Sequence, residues 1–79
     1  MEIGKFIEVF INQFDEIPNG ELNGDSKFKN LEGWDSLTAL AVIVAIDNEY
    51  RVNLTGEDLK KSETFNDLFE IIKSKKANG

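Results

Sequence analysis

Stepping 100° per residue from Ile3 gathers Phe6, Ile7, Phe10, Ile11, Phe14 and Ile17 into one stripe of roughly 140°, with Lys5, Glu8, Asn12 and Glu16 turned away. The pattern predicts an amphipathic helix over about 2–17, closed by Pro18-Asn19-Gly20. Its polar face is acidic, which suits a helix packed on a core better than one lying on a membrane surface. Over 18–35 the periodicity vanishes, and Leu22, Phe28, Leu31 and Trp34 are spaced as anchors among glycines and asparagines. This predicts a loop longer than the roughly 12–15 residues beyond which loops become uncommon and are often functional.

Asp35-Ser36 then opens an apolar run to Tyr50 that is too long for an ordinary strand and lacks a partner strand elsewhere, so a helix over about 36–50 is expected. Its large apolar residues cover more than half the circumference, leaving Thr38, Ala41, Ala45, Asn48 and Glu49 as a narrow exposed band. Such a helix reads as the enclosed, central member of a bundle. Thr55 and Asp58 have capping-box spacing before a short helix at about 56–61. Thr64 and Asp67 repeat the device before a last helix at about 65–75, whose Phe65, Leu68, Phe69 and Ile72 share one face. The expected architecture is all-α: a four-helix bundle of three main helices and a short third one, with the long loop between helices one and two.

The 79 residues suffice for one domain and lack cysteine to staple it, so stability rests on helix packing. With no histidine either, the usual nucleophile, the neutral-pH base and the common soft-metal ligands are missing, which argues against an enzyme and against a metal site. Fifteen acids against nine bases give a net charge of −6, which disfavours nucleic acid and anionic membranes and favours basic protein partners. The longest unbroken apolar run, Ala39 to Ile46, is too short to insert in a membrane. A cytoplasmic monomer is the expectation.

The chemistry concentrates at Ser36, between an anchored loop and the start of the second helix. Taken alone, Asp35-Ser36-Leu37 reads as a helix cap, because such oxygens accept the free amides of a first turn. The longer stretch Gly33-Trp34-Asp35-Ser36-Leu37, at this depth and within this helix order, resembles the acyl carrier protein family, of the free-standing bacterial type. The resemblance runs from about Ile3 to Lys73.

It implies that a phosphopantetheinyl transferase directs the Ser36 hydroxyl onto the pyrophosphate of coenzyme A, leaving 4'-phosphopantetheine joined through a phosphodiester. The base and Mg²⁺ would come from that transferase. It further implies that the arm's thiol carries acyl groups as thioesters to ketosynthases, acyltransferases or acyl- or aminoacyl-activating ligases. A chain retreating into a cleft beside the second helix would meet Ile46, Leu54 and Leu59.

One departure stands out. Fatty-acid carriers follow the serine-leucine pair with an acid and keep more acids along the second helix, where this chain has Thr38, Ala41, Ala45 and Asn48. The acids left nearest the site are Asp35, Asp47, Glu49, Glu57, Asp58 and Glu63. The resemblance then implies partners that are less basic and more apolar at the contact, hence a specialised pathway such as polyketide synthesis rather than housekeeping fatty-acid synthesis. An aminoacyl or peptidyl carrier of the same fold is the neighbouring alternative. Outside the class stand a small acidic interaction module and a calcium loop at Asn19, Glu21, Asn23, Gly24 and Asp25, whose twelfth position is Asn30 instead of a bidentate Glu.

Overall fold

The structure is a computed structural model that describes residues 2–18 and 20–78. Asn19 lies outside them, and with it part of the helix-ending tripeptide and of the calcium-like run. Four α-helices follow in order: α1 (Ile3–Ile11), α2 (Ser36–Tyr50), α3 (Gly56–Lys61) and α4 (Phe65–Asn78). A 3₁₀ turn (Phe28–Asn30) interrupts the long loop, and no strand is present among the described residues. Among the described residues no helix is long and apolar enough to cross a membrane.

All six phenylalanines are buried, and they knit the elements together. Phe6 and Phe10 of α1 stack and edge onto Phe65 and Phe69 of α4, with ring centroids 5.0–6.2 Å apart. Phe28 meets Phe10 edge-on at 5.3 Å, which explains why a loop residue is fully buried. Aromatic pairs at these separations contribute beyond the area they bury. The face expected on α4 is the one that is buried, since Phe65, Leu68, Phe69 and Ile72 are at most 6% exposed.

The first helix is shorter than the stripe suggests. It stops at Ile11, and two tightened turns follow, Gln13 N–H to the Phe10 carbonyl and Phe14 N–H to Ile11. The Gln13 side chain also donates to the Val9 carbonyl at 3.0 Å, satisfying an acceptor the helix end leaves open. Phe14 still reaches the core, by these turns, while Ile17 is 54% exposed. At the other end of the chain α4 continues to Asn78, past the expected stop near 75. Two lysines hold that last stretch: Lys75 donates to the Asn53 carbonyl at 2.8 Å and Lys76 to the Tyr50 carbonyl at 3.0 Å.

The long loop is tied down at both ends. Asn23 and Ser26 bond one another within a turn, and the Asn23 side-chain oxygen accepts the Asp25 amide at 2.8 Å. The loop then meets the start of α4, through Phe65 N–H to the Ser26 carbonyl and Asn66 N–H to the Gly24 carbonyl. A Cβ on Gly24 would fall 2.3 Å from the Asn66 carboxamide oxygen, so a side chain there would have to displace the Asn66 carboxamide.

Helix α2 departs most from expectation. It packs on α1 and buries Val42, Ile46 and Tyr50 but leaves Leu37, Leu40 and Val44 exposed by 77%, 58% and 52%. The small residues Thr38, Ala41 and Ala45, expected to form the exposed band, are half-buried instead. Ala41 and Ala45 share a hollow with Val9 of α1, and the Thr38 hydroxyl bonds back to the Gly33 carbonyl. The helix is therefore a flank of the bundle with an apolar outer stripe.

Candidate functional site at the start of the second helix

Two features of the loop's end aim the chain into α2. Gly33 has φ +95°, a left-handed conformation, and a Cβ there would press on Phe14 at 3.3 Å. Trp34 follows half-buried, stacked on Phe10 at 5.6 Å and edge-on to Phe28 at 5.3 Å. With the indole fixed, Asp35 falls at the N-cap of α2, and its carboxylate accepts the Thr38 amide at 2.8 Å. That amide bond draws the Asp35 carboxyl below its ordinary value, so it is ionised at neutral pH. The Thr38 hydroxyl donates to the Gly33 carbonyl at 3.1 Å, closing the turn.

Ser36 is the first residue of α2 and is exposed. The cap bonds belong to Asp35, and among the described residues no protein group bonds the Ser36 hydroxyl. It is thus a free hydroxyl at the positive end of a 15-residue helix, where negative charge is favoured. Beside it lies a largely apolar groove of 480 Å³ lined by Ala39, Leu40 and Ile43 of α2, by Leu59 and Lys60 of α3, and by Trp34 and Lys29. On the other side Asp15, Glu16, Glu32 and Asp35 surround a polar hollow.

The residues expected to line an acyl cleft divide. Leu59 lines the groove, whereas Ile46 and Leu54 are 0% and 1% exposed and belong to the core. The groove's other apolar residues, Ala39, Leu40 and Ile43, stand three, four and seven positions after Ser36. That helical spacing was readable in the sequence; the contribution of Lys29 from across the fold was not.

The residues expected to meet partners divide as well. Asp47, Asn48, Glu49 and Glu57 are exposed. Ala41, Ala45, Asn48 and Glu49 line a hollow against Val9 of α1 and Gln13 just after it. Asp58 is not available to a partner: it is 6% exposed, caps α3 and pairs with Lys75 at 2.6 Å. Among the described residues no cluster of acids forms a metal-holding group.

The family model for phosphopantetheine attachment sites matches residues 6–72, nearly the whole described fold. The chain belongs to the acyl carrier protein family. It is 31% identical over 72 residues to the acyl carrier protein of Solidesulfovibrio magneticus, covering 91% of each chain. To that of Treponema pallidum it is 33% identical over 60 residues, covering 76% of this chain and 77% of the relative. An acyl carrier protein from Prochlorococcus marinus is 28% identical over the same length. Acyl carrier proteins bear a covalent phosphopantetheine and serve enzymes of acyl metabolism; they are carriers, not enzymes. The site suits that group: an unpartnered serine hydroxyl at a helix N-terminus, beside an apolar groove.

Proposed function

We propose that Ser36 is the attachment point of the phosphopantetheine arm, and that this carrier serves a specialised acyl pathway. The observation that carries the first part is the exposed Ser36 hydroxyl at the first position of α2, with Asp35 taking over the capping that a serine there would otherwise perform. When bound, the arm supplies the thiol that this cysteine-free chain lacks. Ser36 Oγ gives up its proton to a base of the transferase, since no side chain among the described residues is bonded to it. The anion placed there is favoured by the first-turn amides and the helix dipole.

The second part is supported by the outer face of α2. Beside Ser36 that face offers Leu37, Leu40 and Val44, with acids only further along at Asp47 and Glu49. Contacts of this composition gain from apolar burial and depend little on salt. A cytoplasmic location accords with the need for coenzyme A as the donor.

Incubation with coenzyme A, Mg²⁺ and a broad-specificity phosphopantetheinyl transferase tests the attachment. One arm's mass should be added to the wild-type chain and none to Ser36→Ala, with the helical circular dichroism kept. An unmodified wild-type chain, or a modified Ser36→Ala chain, would refute it. Steeply salt-dependent, tight binding to a general fatty-acid ketosynthase would count against the specialised pathway.

A further inference from the structure

Charge is divided across Ser36. In a chain of net charge −6 the groove on one side has two lysines and no acid in its lining, while the hollow on the other side holds four acids. An anion tethered at Ser36 is therefore repelled from the acidic side and drawn toward Lys29 and Lys60. Lys29 is half-buried, and its ammonium donates to the Lys60 carbonyl at 2.8 Å. An ammonium has three donors, so that bond leaves two. None of the ion pairs among the described residues involves Lys29 or Lys60. The ammonium also lies over the Phe28 ring at 5.9 Å and stays at the surface, so an arriving anion can pair with it at little desolvation cost.

The rest of the groove is apolar. Leu40 and Ile43 face Leu59 across it, and its 480 Å³ falls within the roughly 300–1,000 Å³ typical of small-molecule sites. We infer that the groove selects an acyl group with an apolar middle and a carboxylate at its far end. The methylenes would lie along Leu40, Ile43 and Leu59, and the carboxylate between Lys29 and Lys60. This rests on Ser36 bearing the arm. The arm's phosphate is the other available anion, but its ester bond fixes it at the start of α2, where helix amides and dipole already serve it.

The wild-type chain, ¹⁵N- and ¹³C-labelled, is loaded by the transferase from coenzyme A, hexanoyl-coenzyme A or adipyl-coenzyme A. Mass spectrometry establishes loading first, so failure of attachment at Ser36 is recognised before the cargo question is asked. The two acyl groups have equal carbon counts and differ in the terminal carboxylate. NMR then follows the Lys29 and Lys60 side-chain signals and the Leu40, Ile43 and Leu59 amides. The adipyl form should shift both sets beyond the hexanoyl form, and the form with a bare arm should shift the lysines least. In Lys29→Gln/Lys60→Gln the adipyl form should behave like the hexanoyl one, its groove-bound equilibrium constant falling about two- to fivefold, as expected on losing a partly exposed ion pair. Lysine signals that move as far with the bare arm as with adipyl would assign these cations to the phosphate and overturn the inference. Indistinguishable adipyl and hexanoyl forms would overturn it equally.

Discussion

Truncating Asp58 to alanine removes two bonds at once from a carboxylate that is only 6% exposed. Its Oδ2 accepts the Thr55 amide at 3.0 Å and the Lys75 ammonium at 2.6 Å. The first bond is half of the capping box that starts α3, and the second ties α3 to α4. Losing a cap costs about 0.5–2 kcal/mol. Lys75 is 36% exposed, so its pair is discounted to the level of a partly screened one, about 0.2–1 kcal/mol. Together Asp58→Ala should remove about 2 kcal/mol from a domain of this size that has only about 3–5 kcal/mol to lose. Thermal denaturation followed by circular dichroism should show a midpoint lower by roughly 8–16 °C. Asp58→Asn keeps an acceptor for the Thr55 amide and loses the charge, so its loss should be about half as large.

The pH dependence provides a second readout of the same network. Burial pushes the Asp58 carboxyl up, but the Lys75 ammonium and the Thr55 amide and hydroxyl outweigh it and hold it below its ordinary value of 3.8. A carboxyl depressed in the folded state stabilises that state fully above its unfolded value. The contribution drains away as pH falls below 3.8 and through the lower folded value. Asp35 and Asp67 are depressed too and act in the same direction, so the Asp58 share is the difference between wild type and Asp58→Asn. An Asp58→Ala midpoint within about 2 °C of wild type, or acid unfolding unchanged in Asp58→Asn, would refute this account of the network.

Gly33→Ala forces a Cβ into a left-handed turn and against Phe14, so it should destabilise by more than about 1 kcal/mol in urea denaturation. Tyr50→Phe removes a buried hydroxyl that finds no hydrogen-bond partner among the described residues, and its thermal midpoint should be equal to or above that of wild type. Leu40→Glu alters an exposed residue, so stability should stay within about 0.5 kcal/mol, while pull-down by the chain's own partner enzymes should weaken.

Features set by neighbours in the chain were legible from the sequence. Asp35 bonding Thr38, Thr55 bonding Asp58 and Thr64 bonding Asp67 are each three residues apart, and the residue types alone announce them. The α4 face was legible because its apolar positions keep helical spacing. What escaped depends on partners distant in sequence. The exposed stripe of α2 follows from which of its sides α1 takes up, and a run apolar all round does not say. Asp58 looked like a surface acid because Lys75 lies 17 positions away, and Lys29 reaches the groove by a bond to Lys60 that spans 31. Past the early end of the first helix, Phe14 lies beside Trp34, 20 positions on, at a ring separation of 6.4 Å.

The chain contains a single tryptophan, and the fold parks it against Phe10 and Phe28 two residues before Ser36. Its indole also lines the groove, so its emission is an intrinsic optical gauge of that spot. Addition of the arm, and entry or exit of whatever it carries, can be watched in real time on unlabelled protein, with no dye near the surfaces that enzymes would touch.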